Sequence, residues 1–216
     1  MINLIILEQM LPYKITTERS AGFPAYKTMK DTKKLVISAL LAAFTCVATM
    51  IIKFPTPTFG YIHLGDGLVL LCGIILGPVA GALAAGIGSM FADIFSGYLS
   101  FAPATLIIKA LTALIAGLLF HKLQHVWKGK AARPFSVILG GIVGEAIMVL
   151  GYFLYEAVVA AFATGAFTSI SLAAGLASSA TGIPFNIAQG VVGIVISLIL
   201  LPILSKIKDI KDWIAA

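Results

Sequence analysis

Few side chains in this sequence can do chemistry, and most of those sit inside apolar runs. Lys109 interrupts "TLIIKALTALIAGLLF" at residues 105–120, and Asp93, Glu145, Glu156, Asn186 and Gln189 lie in similar surroundings. An ionisable group at that depth is costly enough to require a partner or a function. Helical spacing puts Thr105, Lys109, Thr112 and Ala116 on one face. It does the same for Gly141, Glu145, Met148, Tyr152 and Glu156; for Asn186, Gln189, Gly193 and Ser197; and for Gly86, Ser89, Asp93 and Gly97. Four polar stripes on helices otherwise suited to lipid predict one shared interior, a cavity ringed by these side chains.

The residue types indicate what the cavity could hold. Lys109 is expected to pair with a carboxylate across the interior, with Glu145 and Asp93 as candidates. The alternative is a buried ion pair that only fixes helix register. Tyr152 lies two turns from Glu145, and Tyr98 and His63 fall in neighbouring loops. Apolar walls with a few convergent polar groups suit a small heteroaromatic ligand, and Asn186 and Gln189 would hydrogen-bond its ring edge. For His63 the competing reading is a loop histidine bonded to backbone. Asp66 reads as a helix N-cap rather than a ligand contact.

The elements that must position these groups follow from composition. With 216 residues, 60% of them hydrophobic, and a mean hydropathy of +1.05, the chain reads as an all-α polytopic membrane protein. Six spans are expected: about 35–52; two from 68–95, split by "GPVAG" at 77–81, where Pro78 favours a helix start; about 104–120; about 135–162; and about 176–204. "KFPTPTFGYIHLGDG" is a polar loop after the first span, and a Gly/Ser/Thr/Ala-rich loop separates the last two. Basic residues cluster before the first span (Lys27, Lys30, Lys33, Lys34), between the fourth and fifth (Lys122, Lys128, Lys130, Arg133) and after the sixth (Lys206, Lys208, Lys211). Only Lys53 falls on the other side, which predicts a multi-pass cell-membrane protein with both termini cytoplasmic. The net charge of +6 is therefore topological and does not mark a nucleic-acid surface. The expected organisation is an N-terminal extension at 1–28, one six-helix substrate-binding domain at 29–208 and a short cytoplasmic tail at 209–216. The extension lacks the h-region and cleavage site of a signal peptide, so it reads as an over-extended start before Met29 or as a segment lying on the membrane.

Several function classes drop out. "WKGKAARP" lacks the leading glycine and the hydroxyl residue of a phosphate-binding loop, and neither a G-x-S-x-G elbow nor an H-E-x-x-H pair is present. Neither an enzyme nor a cofactor is expected, and the scattered histidines predict no metal site. Cys46 and Cys72 read as packing residues. No inverted repeat with paired broken helices marks a secondary transporter. Small residues at four-residue spacing, Gly77, Gly81 and Ala85, predict close helix packing. Ala39 and Ala43 on the first span fit either packing or contact with another protein.

The segments "GYIHLGDG", "LGPVAGALAAGIGSMFADIFSGY", "APATLIIKAL", "GEAIMVLGYFLYE" and "IPFNIAQGVVG", spread over about residues 33–205, resemble the S components of energy-coupling factor (ECF) vitamin transporters. The similarity leans to the branch with riboflavin-, pyridoxine- and hydroxymethylpyrimidine-type members. The resemblance implies a six-helix protein that captures a vitamin from outside, in a pocket of its later helices closed by the loop after the first helix. It also implies docking on one transmembrane scaffold subunit and two ATPases, with the family's small-xxx-small motif for the scaffold mapping onto Ala39 and Ala43. Two further readings stay open: a stand-alone carrier with Lys109 and Glu145 as a proton-linked pair, and a membrane scaffold whose charges only fix packing.

Overall fold

The computed structural model describes residues 25–58, 60–126, 129 and 131–215, with side chains from residue 32 onward except those of His125 and Ala215. Residues 1–24, most of the expected extension, lie outside the described residues, as do Lys128 and Lys130 and the side chains of Lys27 and Lys30. The chain divides into two units, Met1–Lys34 and Leu35–Ala216. In the first, the described backbone from Ala25 onward is helical. Apart from the start of the first helix, everything below concerns the second.

Helix α1 (Ala25–Ile51) runs into a two-stranded hairpin, β1 (Lys53–Pro55) and β2 (Tyr61–His63). Helices α2 (Asp66–Leu76), α3 (Pro78–Ser96), α4 (Ala102–Val126) and α5 (Ala132–Ala163) follow. The chain ends with α6 (Ser169–Ser179), a 3-10 turn at Ala180–Gly182, α7 (Ile183–Leu204) and α8 (Lys208–Ala215). The fold is an all-α polytopic membrane architecture. Five described stretches are long and apolar enough to cross a bilayer: Thr32–Ile51, Pro78–Ser96, Ala102–Gln124, Ala132–Ala163 and Ser169–Leu204. At 11 residues α2 is shorter, about 16 Å against a hydrocarbon thickness of about 30 Å.

That short helix is the core. All of α2 except Leu68 is buried, which is why it is apolar on every side and not amphipathic. Helices α3, α4 and α7 pack around it, and Ile210, Trp213 and Ile214 of α8 join the same apolar cluster. The tail expected after residue 208 is thus a packed helix. Helices α2 and α4 cross at their backbones: a Cβ added to Gly73 would stand 2.1 Å from the Ala113 carbonyl oxygen, and one added to Gly117 would stand 2.5 Å from that of Gly73. Dispersion and close approach, not hydrophobic exclusion, hold helices together in lipid, so small residues belong at this crossing.

The expected break at Pro78 is present, with the proline in the first turn of α3. Two connections differ from expectation. The loop after the first span is a hairpin, with Lys53 opposite His63, Phe54 opposite Ile62 and Pro55 opposite Tyr61, closed by a Thr56 N–H to Gly60 carbonyl bond of 3.0 Å. The Gly/Ser/Thr/Ala-rich segment is mostly α6. Thr168 Oγ1 accepts the Ser171 N–H at 3.1 Å while Ser171 Oγ accepts the Thr168 N–H at 2.8 Å, a reciprocal cap that starts a helix in a composition suited to a loop. Pro184, in the first turn of α7, marks the new helix that the expected 176–204 span merged with the end of α6.

Candidate functional site

Lys109 is fully buried in α4, and its Nζ donates to Asp66 Oδ1 at 2.5 Å. Asp66 Oδ2 accepts from Gln189 Nε2 of α7 at 2.7 Å, and Gln189 Oε1 in turn accepts the backbone N–H of His63 at 2.8 Å. One chain of bonds, charge-assisted at Asp66, therefore ties α4 to the first residue of α2, then to α7, then to strand β2. The Lys109 ammonium also lies 5.3 Å from the Tyr152 ring centroid, within cation–π range. The expected partners of Lys109, Glu145 and Asp93, are not the ones it takes. Asp66 is not the N-cap of α2 either: that position is Gly65, with no side-chain cap bond. A carboxylate at a helix start resembles a cap in sequence, but here both its oxygens face inward to a lysine and an amide.

Above this network lies a cavity lined by residues of the hairpin, α3, α4, α5 and α7, together with Phe101. Its main groups are Tyr61, His63, Asp93, Tyr152, Glu156 and Asn186. It encloses about 340 Å³ of empty space counting its mouth, of which only about 20 Å³ admits the centre of a water molecule. The Tyr61 hydroxyl donates to Asp93 Oδ1 at 2.6 Å, so the hairpin is tied to α3 as well as to α7. Burial and the neighbouring Asp93 charge push the Tyr61 phenol above its ordinary range, so it acts as a donor at neutral pH. Thr105 and Tyr152 share a hydroxyl hydrogen bond of 3.0 Å across α4 and α5. Burial, followed by the nearby Lys109 ammonium, pushes His63 down to about 3. Its ring is neutral at pH 7, and Nδ1 accepts the Gly65 N–H at 3.0 Å.

The sequence-derived residues therefore divide three ways. His63, Asp93, Tyr152, Glu156 and Asn186 line the cavity. Lys109 and Gln189 form the network beside it, and Tyr98 stacks its ring 4.6 Å from that of Tyr61. Glu145 lies outside the cavity lining but within electrostatic reach of Asp66 and Lys109. It lies in a groove between α5 and α7 among Ile142, Ala146, Val149, Ile187, Gly190, Val191 and Ile194. Neither of its oxygens has a hydrogen-bond partner among the described residues. Gly190 makes room for it, since a Cβ there would stand 2.9 Å from Glu145 Cβ. Ala39 and Ala43 line a separate apolar groove between α1 and α3, with Cys46, Ile87, Phe91 and Phe95. Asp66, Tyr61 and Phe101 were missed as site residues. Asp66 and Tyr61 both stand in the quoted "GYIHLGDG" segment, whose density of polar and aromatic residues was the available signal.

The family model for the ECF-type riboflavin transporter, S component, matches residues 29–206. The chain belongs to this family. Its members are transporter subunits, not enzymes. An uncharacterized protein of Pyrococcus woesei is 36% identical over 108 residues, a match covering 49% of this chain and 66% of the relative. This S-component chain thus spans just under two thirds of that relative's length. A solved structure described as the S component of a bacterial ECF transporter aligns with a TM-score of 0.56 at 22% identity, covering 82% of this chain and 97% of the other. At that identity the likeness concerns the fold.

Proposed function

We propose that this S component is the substrate-capture subunit of an ATP-driven ECF importer for a water-soluble vitamin or a related heteroaromatic compound of riboflavin-, pyridoxine- or hydroxymethylpyrimidine-like size. The observation that carries the reading is the cavity itself. Aromatic and polar side chains from several elements converge beneath a hairpin that is fastened to α3 and α7 by single hydrogen bonds through Tyr61 and His63. Pockets of this make-up hold planar ligands by their faces and edges. His63, Asp93, Tyr152, Glu156 and Asn186 contact the ligand, Tyr98 backs Tyr61, and Lys109, Asp66 and Gln189 hold the walls in place. The cavity admits little more than water with the hairpin closed, so the hairpin moves to let substrate in.

In this reading α2 counts as a sixth span, both termini are cytoplasmic and the hairpin end faces outward. The distribution of Lys122, Arg133, Lys206, Lys208 and Lys211 at the other end supports that orientation. Transport energy comes from a partner module of one membrane scaffold and two ATPases. The groove of small and aromatic residues around Ala39 and Ala43 is the surface that meets the scaffold, because small residues let a partner helix approach closely. Uptake into vesicles containing the chain together with such a module should require ATP hydrolysis. Uptake by the isolated chain driven by a proton gradient would contradict the proposal.

A further inference from the structure

The charge of the cavity is one-sided. Asp93 and Glu156 both line it, at 4% and 6% exposure, and each keeps one oxygen, Asp93 Oδ2 and Glu156 Oε2, without a hydrogen-bond partner among the described residues. Neither lysine nor arginine is among the described lining residues. Lys109 and Lys53 reach Asp93 only through space, and each makes its close contact elsewhere. Lys109 is committed to Asp66 behind the Tyr152 ring, and half-buried Lys53 lies 5.5 Å from the Tyr61 ring centroid. The remaining titratable group of the lining with a basic site, His63, is neutral at pH 7 because burial and Lys109 push it down to about 3.

Buried carboxylate oxygens without donors and without a bonded counter-charge are unfavourable, and two in one cavity repel each other. A ligand that brings N–H donors and a positive charge relieves both penalties at once. An anionic ligand compounds them, and that is how a site rejects a close analogue. The rings of Tyr61, Phe101 and Tyr152 around the same space also favour a cation over their faces.

We propose that the compound captured here is a cationic heteroaromatic, a ring bearing a protonated amine or amidine whose N–H groups meet Asp93 and Glu156, and that phosphorylated and carboxylated forms of the same ring are rejected. This inference rests on the capture reading above and adds the charge class of the substrate.

The test is titration calorimetry on the full purified chain at pH 7.5 with ligands matched at one substituent. The pyridine set is pyridoxamine, pyridoxine and 4-pyridoxate. The pyrimidine set is 2-methyl-4-aminopyrimidine carrying aminomethyl, hydroxymethyl or carboxylate at position 5. The flavin set is riboflavin, its 5′-amino-5′-deoxy analogue and its 5′-phosphate. Within whichever ring system binds, the amine should be tighter than the alcohol by about 10-fold or more, as charge-assisted bonds to two carboxylates require. The anion should show no measurable binding. Asp93→Asn combined with Glu156→Gln keeps shape and one acceptor oxygen on each residue while removing the charge, and it should shrink the amine preference to roughly 3-fold or less. A tighter alcohol or anion, or a preference unchanged in the double variant, overturns the charge assignment and leaves capture standing. If the double variant does not fold, the ranking in the parent protein decides. Binding by no member of any set defeats the capture reading, and this inference falls with it.

Discussion

Replacing Lys109 with methionine separates the role of the buried network from that of the cavity. Methionine keeps the apolar stem but removes three donors and the charge. Asp66, fully buried, then loses the ammonium that stands 2.5 Å from Oδ1 and retains only the Gln189 amide on Oδ2. Breaking a buried pair by removing one partner costs about 3–5 kcal/mol, because an uncompensated charge is left behind. For a domain of this size that corresponds to a fall of roughly 6–20 °C in thermal midpoint. Asp66→Asn in the same chain removes the stranded charge and should recover most of the loss, because asparagine can still accept from Gln189. Glu145→Gln should recover less, because Glu145 neighbours Asp66 but is not ion-paired with Lys109. The assay is thermal unfolding in detergent, followed by tryptophan fluorescence, on the parent, the Lys109→Met single variant and the two doubles. A single variant as stable as the parent, or rescue by Glu145→Gln in place of Asp66→Asn, refutes the assigned pairing.

Other substitutions distinguish the remaining roles. Asn186→Ala, at the cavity wall, should weaken ligand binding by about 1–3 kcal/mol in calorimetry with little change in thermal midpoint, since it strips one ligand contact. Gln189→Ala should instead lower stability by a similar amount before any ligand is added, because it strands Asp66 Oδ2 and the His63 N–H together. Ala39→Leu with Ala43→Leu should leave ligand affinity intact in the purified chain and abolish ATP-dependent uptake, as both residues line the α1–α3 groove away from the cavity. Loss of binding in that double variant would remove its assignment to the partner surface. The lowered His63 value makes stability pH-dependent. The unfolded histidine takes up a proton below about 6.5 while the folded one does not until about 3, so its contribution is full above 6.5 and declines as pH falls through that window. A denaturation series from pH 7.5 to 4 should show the parent losing up to roughly 3 kcal/mol more than a His63→Gln chain.

The helices could be read from the sequence because lipid forces backbone groups to pair within each segment, which leaves long apolar runs as the visible signature. Pro78 marked the junction of α2 and α3 for an equally local reason. The polar stripes also placed Asp93, Tyr152, Glu156 and Asn186 toward one interior, since helical phase is written in spacing alone. What spacing does not contain is how far one helix slides along another. The partner of Lys109 depends on that crossing, and the structure brings in Asp66, 43 residues away, where local pattern pointed to a cap. Glu145 shows the same limit: its stripe faces inward, but Gly190 admits it beside α7, away from the cavity lining. The hairpin was hidden because its strands are three residues each, too short for an alternating pattern. Helix α6 was hidden because its stability comes from a cap and from packing on α5, not from long apolar side chains.

The central claim, capture of a small heteroaromatic molecule under the hairpin, is tested most directly by native mass spectrometry of the chain released from its own membrane in mild detergent. The account predicts one non-lipid adduct of vitamin size, bound one to one. Asp93→Asn combined with Asn186→Ala should lose it, and Ala39→Leu combined with Ala43→Leu should retain it. A chain that carries no adduct and takes up none when incubated with an extract of water-soluble vitamins, or an adduct that persists in the cavity double variant, would contradict it.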